Sequence, residues 1–231
     1  MPAQPPPGDG HTPQTKSVAA DAIVYLVDDD SDQREALGLL LSSVSIPVQT
    51  FASAADFLNA LPNDPVGCAV LDVRMPGMSG IELQKRLIAA GSRLPIIILT
   101  AFGEVPMVVD ALRDGAFDFL TKPVSPQKVV ARINAALQLD TDQRVILERQ
   151  RCLETGLNLL TPRERDVLHL LMAGQHTKQI AANLGVGTTT IDYHRANVLE
   201  KMNSENVTVL VRDLATAFGS EFFAALAVGT H

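Results

Sequence analysis

From residue 22 onward the chain alternates between short apolar runs and longer stretches in which apolar residues recur every three or four positions. The runs are AIVYLV (22–27), IPVQTF (46–51), VGCAVL (66–71), LPIIIL (94–99) and AFDFL (116–120). All are strand-length and most are rich in β-branched residues, and the periodic stretches between them predict helices. The helix ends carry signals of their own. Ser53-Ala-Ala-Asp56 and Ser79-Gly-Ile-Glu82 read as capping boxes, and Gly91 and Gly115 fall where helices should stop. Ser125-Pro126 suits an N-cap followed by proline at the first helical position. Five strands alternating with five helices over residues 21–139 predict a doubly wound α/β domain with a five-stranded, largely parallel sheet.

The pattern then changes. Residues 140–157 are polar and charged, with Val145, Ile146, Leu147 and Leu153 scattered among them. They predict a helical linker, with a short dimerising coil as the alternative. From Leu160 the strand pattern is gone. Thr161-Pro162-Arg163-Glu164 reads as a capping box with an early proline, opening a helix that Gly174 closes. Helices are predicted over Lys178–Leu184, Thr189–Met202 and about Asn206–Phe218, with a Gly185-Val186-Gly187 turn after the first of these. Residues 158–231 are thus expected to form an all-α domain. Residues 1–20 carry five prolines and no apolar period, and read as a disordered tail or a proline-rich ligand segment.

Composition narrows the class. Hydrophobic residues make up 46% of the 231 and charged residues 19%, enough apolar material for two packed cores and too little charge for disorder. No apolar run reaches the length of a membrane span, and no secretory signal is read at the N-terminus, so a cytoplasmic protein without membrane association is expected. Cys68 and Cys152 are too few and too far apart to suggest a disulfide framework or a zinc site. The net charge is −7, and neither domain is basic: residues 21–140 hold 9 Lys/Arg against 15 Asp/Glu, residues 158–231 hold 6 against 7. Charge alone therefore does not announce nucleic-acid binding.

Chemistry gathers where the strands end. The first run ends in Asp28-Asp29-Asp30, the third in Asp72 followed by Val73-Arg74-Met75-Pro76-Gly77, the fourth in Thr100-Ala101 and the fifth in Thr121-Lys122-Pro123. A parallel sheet brings these ends to one edge, where ligands of such folds bind. Clustered carboxylates repel unless a cation settles among them, and an all-oxygen set with room for water suits Mg²⁺. A cis Lys122-Pro123 peptide would aim the ammonium back over the site.

The acidic cluster, Leu-Asp-Val-Arg-Met-Pro-Gly-Met-Ser-Gly (71–80), Leu-Thr-Ala (99–101) and Thr-Lys-Pro (121–123) together resemble the receiver domain of two-component response regulators. The resemblance covers residues 22–139 and implies a flavodoxin-like fold. It implies Asp72 as phosphoacceptor, and Mg²⁺ held by Asp29 with Asp28 assisting through water, together with Asp72 and the backbone carbonyl of Arg74. Thr100 and Ala101 would stand by the phosphoryl group, and Lys122 would neutralise it. Phe119 occupies the family's switch position, often tyrosine; without a hydroxyl it would switch by packing, or serve as core. Asp30 falls at a variable place and receives no role.

In the helical domain, residues 177–196 have helix-turn-helix length. At helical spacing Ile191, Val198, Leu199 and Met202 should face the core, leaving Thr189, Tyr193, Ala196 and Glu200 outside with Asp192 and Asn197 beside them. Such a face reads base edges when a helix enters the major groove, and Lys178, Arg195 and Lys201 are the nearby cations for phosphates. The segments 160–168, 178–185 and 190–198 resemble the LuxR-type DNA-binding domain, which adds Thr190 to the candidate contacts. The pair of domains is similar to the FixJ/NarL class, and Phe102-Gly-Glu-Val-Pro-Met107 is particularly FixJ-like. Asp192 departs from the basic residue some relatives carry; an acid there is unsuited to a phosphate and able to accept from a cytosine amino group, which leaves the base preference open.

The resulting expectation is a phosphorylation-activated transcription regulator. A sensor histidine kinase would phosphorylate it, the phosphorylated form would be a homodimer on double-stranded DNA, and RNA polymerase is a further candidate partner. An aspartyl-phosphate phosphatase of the haloacid-dehalogenase type is the rival enzyme, but that family carries a second acid two residues after the nucleophile, where Arg74 stands here. A phosphorylation-independent DNA binder is the other rival, and the intact Asp28, Asp29, Asp72, Thr100 and Lys122 speak against it.

Overall fold

The computed structural model describes residues 22–101 and 105–228. The proline-rich segment 1–20 and residues 102–104 of the 102–107 motif lie outside the described residues. Strands β1 (Ile23–Val27), β2 (Val48–Phe51), β3 (Gly67–Leu71), β4 (Ile96–Thr100) and β5 (Asp118–Thr121) each form within, or one residue beyond, the apolar run that predicts them. They alternate with α1 (Ser31–Ser43), α2 (Ala54–Ala60), α3 (Gly80–Ala89), α4 (Val105–Arg113) and α5 (Pro126–Leu159).

The sheet is parallel throughout, in the order β2-β1-β3-β4-β5. Successive side chains of a strand point to opposite faces, so each run feeds two cores. Tyr25, Val27, Ala69, Leu71, Ile96 and Ile98 pack against Phe57 of α2, Leu83 and Leu87 of α3 and Ala111 of α4. Val24, Leu26, Cys68, Val70, Ile97 and Leu99 pack against Leu41 of α1 and Val129, Ile133 and Ala136 of α5. With both faces covered, the central strands read as continuous apolar runs rather than alternating ones. Burial also pushes the Cys68 thiol up to about 12, helped by the nearby negative charge of Asp140, which leaves it unreactive.

The expected helix punctuation is present, with one difference in detail. Ser53 and Ser79 accept from the amides of Asp56 and Glu82, but the return half of each capping box is missing. Asp56 instead takes the Ser53 hydroxyl at 2.7 Å, and Glu82 pairs with Arg86 at 3.0 Å. Only Thr161 and Glu164, among these three pairs, close both halves. Asp30, given no role by the motif, caps α1 by accepting from the amides of Asp32 and Gln33.

The chain divides into two compact units between Asp142 and Gln143, within α5. The second unit contains α6 (Pro162–Met172), α7 (Thr177–Leu184), α8 (Thr188–Lys201) and α9 (Val207–Val228), the last broken at Gly219. Leu153, which the sequence reading places in a linker, is fully buried with Val198, Met202, Leu210 and Leu214. Together with Leu157, one turn on, it forms an apolar stripe too narrow to stand out from a charged segment. Among the described residues no helix is long and apolar enough to cross a membrane.

Candidate phosphoacceptor site and DNA interface

The strand order reverses between β1 and β3, and the crevice at such a point is where doubly wound folds bind ligands. Register pairs Val27 with Leu71, so the residues that follow, Asp28 and Asp72, stand side by side. Both are buried, at 5% and 9% exposure. Lys122 reaches them from the end of β5, its Nζ donating to Asp28 Oδ2 and Asp72 Oδ1 at 3.0 Å each. The third N–H of the ammonium goes to Gln33 Oε1 in α1. The Lys122–Pro123 peptide is cis.

Burial works against a charged lysine here, but the hydrogen bonds and negative charge of Asp28 and Asp72 outweigh it. They hold the ammonium above its ordinary pKa. The two carboxylates are fixed by backbone as well. The amide of Arg74 donates to Asp72 Oδ2 at 2.7 Å, and the amide of Asp30 donates to Asp28 Oδ1 at 2.9 Å. Arg34 donates to the carbonyl of Asp28 at 2.6 Å. The loop after Asp72 is drawn tight: Gly80 donates to the carbonyl of Val73 at 3.0 Å. A Cβ at Gly80 would stand 2.1 Å from the backbone carbonyl oxygen of Asp72, so only glycine lets α3 start so close to the backbone at the end of β3.

Thr100 ends β4 fully buried, Ala101 is exposed beside it, and the carbonyl of Thr100 accepts from the amide of Lys122 at 2.8 Å. Phe119 is half-buried against the core on the α2–α4 side of the sheet. Asp29 is exposed, and Asp28, which the resemblance gives the assisting part, is the acid that shares Lys122 with Asp72. Among the described residues no three metal-ligating side chains are gathered in one place. Two buried carboxylates beside an exposed third fit Mg²⁺ all the same, since that ion is held by one or two carboxylates and keeps its waters. Chemically the site offers a carboxylate nucleophile, a charge-neutralising ammonium and a buried hydroxyl, the parts that phosphoryl transfer requires.

In the second unit α7 and α8 are joined by a turn at Gly185–Gly187. Ile191, Val198 and Met202 are fully buried, as their spacing predicts, and Leu199 is partly so. Thr189, Thr190, Asp192, Tyr193, Ala196 and Glu200 are exposed, while Arg195 and Asn197 are half-buried. Tyr193 stands out at 64% exposure, its ring edge-on to His194. Lys178 and Arg195 line one groove with His176, Thr177 and Thr208, which gives that side of the motif a local positive charge.

Lys201 is otherwise engaged. Its Nζ lies 2.6 Å from Oε2 of Glu164, a carboxylate only 4% exposed, so this ammonium makes an ion pair inside the domain. Burial, the largest influence on Glu164, raises its pKa, but Lys201 and the capping bonds of Thr161 prevail and bring it to about 2. Sequence reasoning missed Gln33 and Arg34. It also missed Arg149, which binds Asp213 at 2.8 Å. Their partners are set by the fold and leave no local pattern.

Comparison with known proteins agrees with both halves. Residues 24–134 match the family model described as a response regulator receiver domain, and residues 158–214 match that of bacterial regulatory proteins of the luxR family. The response regulator protein TodT of Pseudomonas putida is 38% identical over 191 residues, covering 83% of this chain and 84% of TodT. The transcriptional regulatory protein FixJ of Bradyrhizobium diazoefficiens is 40% identical over 189 residues, covering 82% of this chain and 92% of FixJ. The solved structure of the response regulator StyR is 42% identical with a TM-score of 0.72, covering 84% of this chain and 98% of that one. Full-length FixJ from B. japonicum superposes with a TM-score of 0.54 at 39% identity, covering 85% of this chain and 97% of that one.

Proposed function

The chain belongs to the response regulators that join a receiver to a LuxR-type DNA-binding domain, a phosphorylation-dependent class of transcription regulator, and from that premise we propose that Asp72 is the phosphoacceptor. The observation that carries this is the Lys122 ammonium shared at 3.0 Å by Asp28 and Asp72 at the ends of adjacent strands. A histidine kinase is the phosphodonor such a receiver takes, and DNA is the ligand of the second domain.

In the step itself an Asp72 oxygen attacks the phosphorus of the donor, the bond from phosphorus to the donor nitrogen breaks, and an acyl phosphate remains on Asp72. Lys122 turns from the Asp72 carboxylate to the phosphoryl oxygens, and the Arg74 amide keeps the other carboxyl oxygen in place. Asp28, Asp29, Asp72 and the carbonyl of Arg74 would hold Mg²⁺, which supplies further charge neutralisation. The new group carries nearly two negative charges at the sheet edge. The Thr100 hydroxyl turns toward it, and Phe119 moves by packing into the space released. The phosphorylated state is one already sampled at low level, stabilised until it dominates. In that state two copies pair, place two α8 helices on DNA, and act in the cytoplasm on transcription by RNA polymerase.

Incubation with a small phosphodonor and Mg²⁺ tests the assignment. The protein should gain one acid-stable, base-labile phosphate, and Asp72→Asn should abolish it because an amide is no such nucleophile. Undiminished labelling of that variant would overturn the assignment.

A further inference from the structure

The luxR-family match begins at residue 158, yet the compact unit that contains it begins at Gln143. Between these positions one side chain concentrates its contacts on a single place. Arg149, in α5, donates through Nε to Asp213 Oδ2 at 2.8 Å and through Nη2 to Ser204 Oγ at 2.6 Å. Its Nη1 donates to the carbonyls of Met202 at 3.2 Å and Asn203 at 3.0 Å. Four of the five N–H groups of the guanidinium are thus used on the end of α8, the turn that follows and α9.

These acceptors are not incidental. Met202 is the C-cap of α8 and Asn203 takes a φ of +46°, so both carbonyls lie where a helix runs out of its own amides. The guanidinium also sets a positive charge at the negative end of the α8 dipole. Two further contacts place the same part of α5 on the same helix end. A Cβ at Gly156 would stand 2.6 Å from the carbonyl oxygen of Lys201, so the two backbones approach as only glycine allows. Between Arg149 and Gly156, Leu153 is fully buried among Val198, Met202 and Leu210. Asp213 responds as a held carboxylate should. Burial would raise its pKa, but Arg149 and Arg212 bring it below the ordinary value.

We infer that Arg149 is a positioning residue for DNA recognition, fixing the orientation of α8 by gripping the end of that helix remote from the bases. The inference rests on α8 being the reading helix. A helix is a stiff rod rising about 1.5 Å per residue, so a tilt permitted at Met202 displaces Thr189 and Tyr193 at the other end. Lysine replaces the arginine only in part: it keeps the positive charge at the helix end, but a point ammonium does not span a carboxylate, a hydroxyl and two carbonyls at once.

The test uses the full-length protein carrying a beryllium fluoride phosphoryl mimic, on DNA selected by the wild type, with binding corrected for the folded fraction by circular dichroism. Arg149→Met should weaken binding by about tenfold, and Arg149→Lys by less, as expected for loss of a helix-end charge and its hydrogen bonds. Backbone amide shifts in Arg149→Met should change at Thr189–Tyr193 as well as at Asn203. If Arg149→Met fails to fold, Asp213→Asn and Ser204→Ala each remove one contact, and each should weaken binding a few-fold. Wild-type affinity in folded Arg149→Met, or in both single-contact variants, would overturn the inference even if the melting temperature falls. Failure of the wild type to bind any DNA would instead overturn the function on which the inference rests.

Discussion

With its three N–H groups directed to Asp28, Asp72 and Gln33, Lys122 holds two buried carboxylates next to each other at the sheet edge. Removing the ammonium leaves two like charges without a counter-charge between them, held only by backbone amides, whereas removing one carboxylate leaves a matched pair. Lys122→Met should therefore cost about 3 kcal/mol of receiver stability, and Asp72→Asn much less. Urea unfolding measures both, and an equal cost for the two would contradict this charge balance. The positions of Asp28, Asp72 and Lys122 were legible in the sequence because the two acids follow directly on apolar runs and the lysine stands one residue beyond another. Gln33 was not, since its part depends on how the first turn of α1 faces the lysine. Glu164 and Lys201 were legible only by half. The capping box was visible, but the ion pair with Lys201 joins positions 37 residues apart and leaves no local pattern. The pH dependence follows in sign. Glu164 has a folded pKa of about 2 against an ordinary 4.5, so its contribution is complete above about 4.5 and lost as pH falls toward 2. Thermal melts of the second unit's helices should show that decline in the wild type and a flatter profile in Glu164→Gln. An unchanged profile would mean the pair adds nothing.

At the scale of elements, the helix-turn-helix was readable because α8 buries Ile191, Val198 and Met202 at helical spacing and leaves Tyr193 out. What the pattern did not reveal is that α5 continues into the second unit's core through Leu153, a residue isolated among polar neighbours. The exposed face of α8 and the groove of Lys178 and Arg195 should contribute to binding in different ways. Substituting Lys178 should weaken binding across DNA sequences and flatten its salt dependence by about one counterion. Substituting Tyr193 should change the preferred sequence, with about 1–3 kcal/mol at stake for a good base contact. Selection from random DNA separates the two. If Tyr193→Ala recovers the wild-type motif, Tyr193 packs against sugar and backbone and another residue reads the bases.

For the molecule as a whole, neither domain is basic, so a single helix-turn-helix unit should hold DNA weakly. Pairing two units converts the second contact into an intramolecular one and raises affinity through effective concentration. On the proposed reading, phosphorylation governs transcription by changing the population of the paired state, without any change at the DNA-reading face itself. The chain's order of domains was legible from the shift of hydrophobic period near residue 140, while the unit boundary inside α5 was not, because a continuous helix hides it from any period. One measurement bears on this account most directly: the DNA affinity of the full-length wild type and of Asp72→Asn, each with and without beryllium fluoride and Mg²⁺. The account predicts that the mimic raises wild-type affinity by at least about tenfold and leaves Asp72→Asn unchanged. Equal wild-type affinity in both states, or an equal rise in Asp72→Asn, would contradict it.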